Sequence, residues 1–221
     1  MAFVAGHNCT VKLSGTAVAF TAAATSNVSG NIYRLNDAAK RILNPAAAIV
    51  VYDGGAPVAA SGFTVDYLFG TVTLSAPPGG AVTIDAEYLP VHSAVDATEF
   101  SISMSREELE KTVFGDSVRE YDLGLKSADG TINGLDLGDT DLDAGGDTLK
   151  VSDVLGNGTP VLLEVYLGTA TKYWRGWVLF PGLDLNSEFS GLVGSAIKFR
   201  AAARQATGRS ELVGFGLGTS P

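Results

Sequence analysis

The fold is decided by residues 98–137, TEFSISMSREELEKTVFGDSVREYDLGLKSADGTINGLDL. Apolar side chains alternate with polar ones at its start and again after a charged connection. The apolar members of this alternation are Phe100, Ile102, Met104, Tyr121, Leu123 and Leu125. A period of two places alternate side chains on opposite faces of a strand. The stretch therefore predicts a β-meander from which a charged loop, residues 105–118, projects.

The composition favours β-structure throughout. The chain has 221 residues, of which 27 are glycines and 46% are hydrophobic. Abundant Gly, Thr, Ser and Val suit short strands and tight turns, and long amphipathic patterns are nearly absent. The length allows one large or two small β-domains. We predict a mainly β protein.

The charge is negative and unevenly distributed. The formal net charge is −9, which argues against nucleic-acid binding through a basic face. Residues 96–153 carry fifteen acidic and five basic side chains, a net charge of −10, so the whole excess lies in this stretch. Two interpretations stay open: an ordinary solvated face, or a surface that repels a polyanion while lining its path.

The N-terminus and the cysteine content indicate the compartment. Cys9 is the single cysteine, so no intramolecular disulfide is expected. Residues 1–15 lack the basic and apolar regions of a signal peptide. No apolar run approaches the roughly 20 residues that span a bilayer. We expect a soluble protein synthesised in the cytoplasm of a cell.

The N-terminal half is predicted to contain a hairpin and a small β-module. Residues 11–20 read as a hairpin with a turn at Ser14-Gly15. Residues 34–44 have helical spacing of apolar side chains, ended by Pro45, and predict one short helix. Alternating strands follow between residues 49 and 88. We interpret residues 28–95 as a module inserted after the first hairpin.

The C-terminal half is predicted to hold one helix and three strands. Residues 148–155 read as a helix capped by Asp147. Strands follow at residues 161–167, 173–180 and 193–203, and residues 204–221 read as a tail, either flexible or docked on a partner. In the second of these strands Trp174 and Trp177 fall on opposite faces, and core packing explains both more simply than a binding role.

An acidic loop at residues 136–147 invites a calcium-site interpretation. An EF-hand loop beginning at Asp139 would put Ala144 where glycine is required and Lys150 where the bidentate glutamate is required. The EF-hand is therefore rejected. A plain acidic loop or a looser cation site both stay open, and we predict no metal and no cofactor.

A family resemblance rests on the same central stretch. Its residues are Thr112, Phe114, Gly115, Asp116, Arg119, Tyr121, Gly124, Leu125, Gly130, Ile132 and Gly134. In order and spacing they resemble the conserved run of major tail tube proteins of long-tailed, siphovirus-type bacteriophages, most clearly over residues 98–200. The resemblance implies a β-sandwich or partial barrel with one flanking helix, formed by residues 1–27 and 96–203. The inserted module is not needed by the smallest members of that family.

The resemblance also implies a function and partners. Subunits of the family assemble into hexameric rings that stack into a tube, the conduit for genome delivery. The implied partners are further copies of the chain and the tape-measure, tail terminator and baseplate or distal tail proteins. Double-stranded DNA would pass through the lumen without specific binding. The expected location is the virion, with synthesis in the host cytoplasm and no membrane contact.

Two sets of site residues follow from this interpretation. Candidates for ring-to-ring contact lie in the projecting loop: Glu107, Glu108, Glu110, Lys111, Phe114 and Asp116. Candidates for an acidic inner wall are Glu99, Glu120, Asp122 and Asp129, although a register error of one residue would turn each to the other face. Deletion of residues 107–111 is predicted to give rings or monomers rather than tubes.

Other functions receive less support from the sequence. His7 and His92 lack an acidic neighbour in any motif, and the sequence contains no P-loop, G-x-S-x-G or HExxH pattern, so we predict no enzyme. One alternative is a β-sandwich binding or decoration module of a phage or cell surface, with Tyr52, Tyr67 and Phe69 as candidate exposed contacts, although core packing explains these aromatics more simply. Another is a different tube or baseplate relative, such as a type VI secretion tube.

Overall fold

The computed structural model describes residues 10–93, 99–111, 121–133, 160–166, 172–187, 193–207, 212–213 and 215–219. Within these residues the chain is mainly β, as predicted, and its strands form two extended sheets and one two-stranded ribbon. No α-helix occurs in these ranges. The predicted helix at residues 148–155 lies outside them, so the flanking helix is not seen.

A large sheet of eight strands is built mostly from the second half of the chain. Its order is β10-β11-β14-β13-β12-β1-β9, and β17 pairs with β13 beside this path. Its strands are β1 (Thr10–Ser14), β9 (Val91–Ser93), β10 (Glu99–Glu110), β11 (Tyr121–Asn133), β12 (Val161–Tyr166), β13 (Lys172–Ser187), β14 (Val193–Ala201) and β17 (Phe215–Thr219). All of its pairings are antiparallel.

A small sheet of seven strands follows the order β5-β4-β8-β2-β3-β7-β6. Its strands are β2 (Val18–Ser29), β3 (Ile32–Leu35), β4 (Val50–Asp53), β5 (Ala56–Pro57), β6 (Phe63–Asp66), β7 (Thr71–Leu74) and β8 (Val82–Tyr88). The ribbon pairs β15 (Arg204–Gln205) with β16 (Leu212–Val213). The division of the chain into a main domain and an inserted module stays a prediction.

The predicted hairpin at residues 11–20 is wrong. Its first arm pairs with β12 and β9 of the large sheet, whereas its second arm, β2, pairs with β8 and β3 of the small sheet. The chain therefore crosses from one sheet to the other at residues 15–17. The predicted tail is also partly a strand, because β17 joins the large sheet through β13.

The predicted helix at residues 34–44 is reduced to a short 3-10 turn at Ala38–Lys40, capped by Asp37. The flanking backbone groups bind other strands instead of the helix: the Leu35 N–H donates to Gly70 O at 3.0 Å and the Leu43 N–H to Tyr67 O at 2.8 Å. A helix of this length is marginal on its own. Hydrogen bonds to the sheet, and burial of the flanking leucines, override the helical spacing.

The apolar residues form two clusters that share the strands β12 and β13. One cluster fills the small sheet and includes Leu162 and Trp177 from the large sheet. The other lies on the opposite face of β12 and β13 and includes Val165 and Trp174. The predicted placement of the two tryptophans on opposite faces is confirmed, and both are core residues. The small sheet thus packs on one face of the large sheet.

A buried ion pair lies in the contact between the two sheets. Glu164 and Arg175 stand opposite each other on β12 and β13, and Arg175 Nε donates to Glu164 Oε2 at 2.5 Å. Arg175 Nη1 also donates to the Leu68 carbonyl of the small sheet. The guanidinium lies over the rings of Tyr173 and Phe69, at 4.7 and 5.7 Å from their centroids. One charged pair therefore links both sheets.

We expect Gly130→Ala to destabilise the large sheet by about 1–3 kcal/mol, the usual cost of overpacking. A Cβ at this position would overlap the Ser101 carbonyl oxygen and the Phe199 ring, so neighbouring backbone would have to move. Gly182→Ala is the matched control, because its Cβ would enter open space. Urea unfolding of both variants measures the difference, and equal midpoints would contradict the packing described.

Candidate assembly surface

The most exposed part of the large sheet is the hairpin formed by β10 and β11. The strands comprise 12 and 13 residues, so the hairpin extends for about 40 Å at ~3.3 Å per residue. Only its inner part, Asp129–Asn133, pairs with β14, whereas β11 and β10 pair with each other out to Tyr121 and Glu110. We call residues 104–110 with 121–128 the outer hairpin.

The first part of the predicted charged loop, residues 105–110, is strand, whereas residues 112–118 lie outside the described residues. Glu107, Glu108 and Glu110 belong to β10, where Glu108 pairs with Leu123 and Glu110 with Tyr121. The register shifts between Arg106 and Glu108, which indicates a β-bulge at this point. Lys111 Nζ lies 3.9 Å from Asp122 Oδ2. Phe114 and Asp116, the remaining candidates for ring-to-ring contact, lie outside the described residues, and the role of all six stays a prediction.

Large apolar side chains of the outer hairpin are exposed. Their exposed fractions are Met104 51%, Leu109 48%, Tyr121 54%, Leu123 62% and Leu125 81%. Tyr121 and Leu123 share one face of the hairpin, whereas Leu109, which pairs with Asp122, lies on the other. Single exposed apolar residues are ordinary, but neighbouring ones on one face indicate a surface that another molecule covers. Fully burying one such side chain contributes about 1.5–3 kcal/mol. The outer hairpin is therefore the strongest candidate for an assembly contact.

The two ends of the large sheet are open strand edges. Within the described residues, β10 pairs only with β11, and β9 at the opposite end pairs only with β1. Open edges present rows of backbone N–H and C=O groups that can pair with another chain. A 12-residue edge is long enough to hold a neighbouring strand.

The inner hairpin, residues 99–103 with 129–133, presents a polar face with two of the four predicted acidic-wall residues, Glu99 and Asp129. Hydroxyl groups pair across the strands, Ser101 with Thr131 at 2.9 Å and, at the start of the outer hairpin, Ser105 with Ser127 at 2.8 Å. Glu99 Oε2 accepts from Asn133 Nδ2 at 3.2 Å. Asp122 lies farther out on the hairpin, and Glu120 lies outside the described residues. Whether any of them faces a lumen stays a prediction.

The charge of this polar face is balanced by cations that the sequence did not reveal. Arg200 Nε donates to Asp129 Oδ1 at 2.7 Å, and this hydrogen bond raises the pKa of Arg200. Lys198 stands opposite Thr131 on the same face. Lys198 and Arg200 offset Glu99 and Asp129, so the described part of the face is polar rather than strongly acidic. The pairing of β11 with β14 brings these two cations to the polar face, and the sequence alone does not show that pairing.

The aromatic residues of the alternative binding-module hypothesis are not free contacts. Tyr67 is 1% exposed, so it is a core residue, as the simpler interpretation predicts, and not an exposed contact. Phe69 is half-buried and lies 6.4 Å from Tyr173, ring centre to ring centre. Tyr52 is half-buried, and its hydroxyl donates to Asp85 Oδ2 at 2.9 Å. Tyr52 thus links strands of the small sheet, and Phe69 packs against the large sheet.

The described ranges contain no group of three or more His, Cys, Asp or Glu side chains arranged to hold a metal ion. The acidic loop at residues 136–147 lies outside them. In those same ranges, no helix has the length and apolarity needed to cross a membrane.

Comparisons with known proteins gave matches among solved structures only. No protein-family model and no curated protein matches the chain. It is similar to a chain in the virion of a native gene transfer agent particle, with 15% identity and a TM-score of 0.41, over 59% of this chain and 89% of that one. It is also similar to a chain in the tail of an empty gene transfer agent particle refined with C6 symmetry. That match has 14% identity and a TM-score of 0.41, over 60% of this chain and 87% of that one.

Proposed function

We propose that the chain is a structural subunit of a phage-type tail tube, which self-assembles into hexameric rings that stack into a conduit for DNA. The observation that carries this proposal is the outer hairpin, a long two-stranded extension with exposed apolar side chains and an open edge. A monomer gains nothing from exposing such a surface, whereas an assembly buries it.

The two open edges favour a head-to-tail contact. β10 has 12 residues and a charged outer end, whereas β9 has three residues, so the two ends of the sheet are not equivalent. A contact between unlike surfaces repeats around an axis and closes into a ring when the rotation allows it. Closure would also join the sheets of neighbouring copies into one barrel. The ring size of six comes from the sequence resemblance alone.

The polar face of the inner hairpin suits a wall along which DNA slides. Paired hydroxyls and balanced charges neither attract a polyanion strongly nor hold it at a fixed position, since tight binding to phosphates requires an excess of cations. In this proposal the tape-measure protein occupies the lumen during assembly, and terminator and baseplate or distal tail proteins bind the ends. The chain acts in the virion and is not an enzyme.

Electron microscopy of the purified wild-type chain tests the proposal. At rising protein concentration we expect hollow tubes or stacked six-fold rings in negative stain, because burial of the exposed leucines drives association. A chain that stays monomeric at every concentration would contradict self-assembly. A glycan-array signal from such a monomer would favour the binding module instead.

A further inference from the structure

An open groove separates the outer hairpin from β17. It has a volume of about 320 Å³ and is lined by Met104, Ser105, Arg106, Lys126, Ser127, Phe215, Gly216 and Leu217. β17 is held to the sheet by its pairing with β13 and by stacking of Phe215 on Trp174, at 5.9 Å between ring centres. Leu217 and Met104 lie at the mouth of the groove with 63% and 51% of their surface exposed.

Both walls of the groove are strands with a neighbour on one side only. In the described part of the chain, residues 121–128 of β11 pair with β10 alone, and β17 pairs with β13 alone. Each wall can therefore donate and accept backbone hydrogen bonds toward the groove. Addition of an extended strand to an open edge is a common mode of protein recognition. The groove has the form of a strand-addition site rather than of a closed small-molecule pocket.

The polar lining of the groove is basic. Arg106 and Lys126 occupy directly opposite positions on β10 and β11. Like charges at opposite positions destabilise a strand pair. Within the described residues, neither Arg106 nor Lys126 forms an ion pair with an acidic side chain. An occupant with carboxylates would relieve this repulsion. The groove therefore favours an acidic strand.

An acidic strand with an open edge is present on the same hairpin. Beyond the basic pair, β10 continues as Glu107, Glu108, Leu109 and Glu110. The outer hairpin thus has a basic zone near the body of the sheet and an acidic zone toward its end. Two copies displaced along the hairpin would bring the acidic zone of one against the basic zone of the other. Charge complementarity makes a second copy of this chain the occupant.

We propose that residues 107–110 of one copy lie in the groove of the next, with the β10 edge added to β17 and with Glu108 and Glu110, which share one face of β10, paired with Arg106 and Lys126. This contact specifies the neighbour-to-neighbour contact of the proposed tube, and so rests on that proposal. Exposed leucines at the mouth of the groove and on the incoming strand are buried together. The contact is head-to-tail, because one copy supplies the acidic zone and the next copy supplies the basic zone.

Complementary charge reversal tests the contact. The base-reversed chain carries Arg106→Glu with Lys126→Glu, and the acid-reversed chain carries Glu108→Lys with Glu110→Lys, two positions that share one face of β10. Each alone places like charges in the contact, so we expect it to need at least tenfold more protein to associate than wild type. An equimolar mixture restores association, because the two chains can alternate. Restoration also shows that both are folded. Arg34→Glu with Lys40→Glu, on the small sheet, is the matched control and should associate as wild type does.

Sedimentation velocity and electron microscopy separate the possible outcomes. Wild-type tubes, together with unchanged association of the base-reversed chain, would overturn the groove contact and leave the tube proposal standing. Failure of the mixture to associate better than its components would also overturn the contact. Charge-dependent dimers or short oligomers that never form rings would support the contact and contradict the tube. Monomers in all samples would overturn both.

Discussion

Replacing Arg175 with alanine is expected to lower the free energy of unfolding by about 3–5 kcal/mol, the cost of leaving one charge of a buried pair without its partner. Glu164 is 1% exposed and would stay in the contact between the sheets. The variant also loses the hydrogen bond to the Leu68 carbonyl and the contacts with Tyr173 and Phe69. Since a domain is stable by only about 5–15 kcal/mol, this loss is severe.

Two matched variants distinguish the ion pair from ordinary loss of contacts. Glu164→Leu with Arg175→Met removes both charges and keeps a similar side-chain volume. We expect the free energy of unfolding of this double variant to lie within about 1.5 kcal/mol of the wild-type value, or above it, because no charge is left buried alone. Arg200→Ala breaks the exposed pair with Asp129 and should change little, since surface pairs are weak. Urea unfolding, followed by tryptophan fluorescence below the association concentration, measures all three. An Arg175→Ala chain as stable as the double variant would contradict the argument.

The faces of individual strands could be predicted from the sequence. The alternation in β12 separates Leu162 from Leu163, and these residues lie in different apolar clusters. Trp174 and Trp177 are separated in the same way. A side chain's face depends only on its own position in a strand of period two, so a local pattern is sufficient. The burial of Arg175 could not be predicted in this way, because it depends on hydrogen bonds to Glu164 and to the Leu68 carbonyl, which lie far from it in sequence or on another strand.

The partners of the strands could not be predicted in the same way. Ser14-Gly15 is a common turn sequence, but Leu13 pairs with Leu163 and Phe20 pairs with Ala86. A turn sequence favours a local bend and carries no information on distant strands that compete for the same edges. Here the competing strands lie more than 60 residues away.

At residues 107–110 the structure differs from the sequence prediction, because their charges indicate a loop whereas they form the end of β10. Their role in assembly stays a prediction. On a projecting hairpin both faces meet water, so glutamates are tolerated within the strand and the apolar alternation disappears. The pairing of Arg200 with Asp129 depends on the register between β11 and β14, which are joined through residues far apart in sequence.

Shortening the outer hairpin is expected to abolish assembly while the chain remains folded. The deletion removes residues 107–110 together with 121–125, so that Arg106 and Lys126 still face each other and the bulge disappears. Deleting one strand alone would shift the register and turn each following side chain to the other face. The paired deletion removes four of the most exposed large apolar side chains, Leu109, Tyr121, Leu123 and Leu125, and nothing from either apolar cluster.

The expected result follows because these residues are exposed in the monomer and would be covered in the assembly. In the monomer they contact mostly water, so their removal changes the free energy of unfolding little, as for surface positions generally. In an assembly each would be covered, and at about 1.5–3 kcal/mol per side chain their loss exceeds what a subunit contact can tolerate. Light scattering and negative-stain microscopy should show monomers at concentrations where wild type forms tubes. A length-preserving control, Leu123→Ser with Leu125→Ser, should weaken assembly less than the deletion does. Tubes of normal diameter from the shortened chain would mean that subunits meet through another surface, and the open edge of β9 would be the next one to alter.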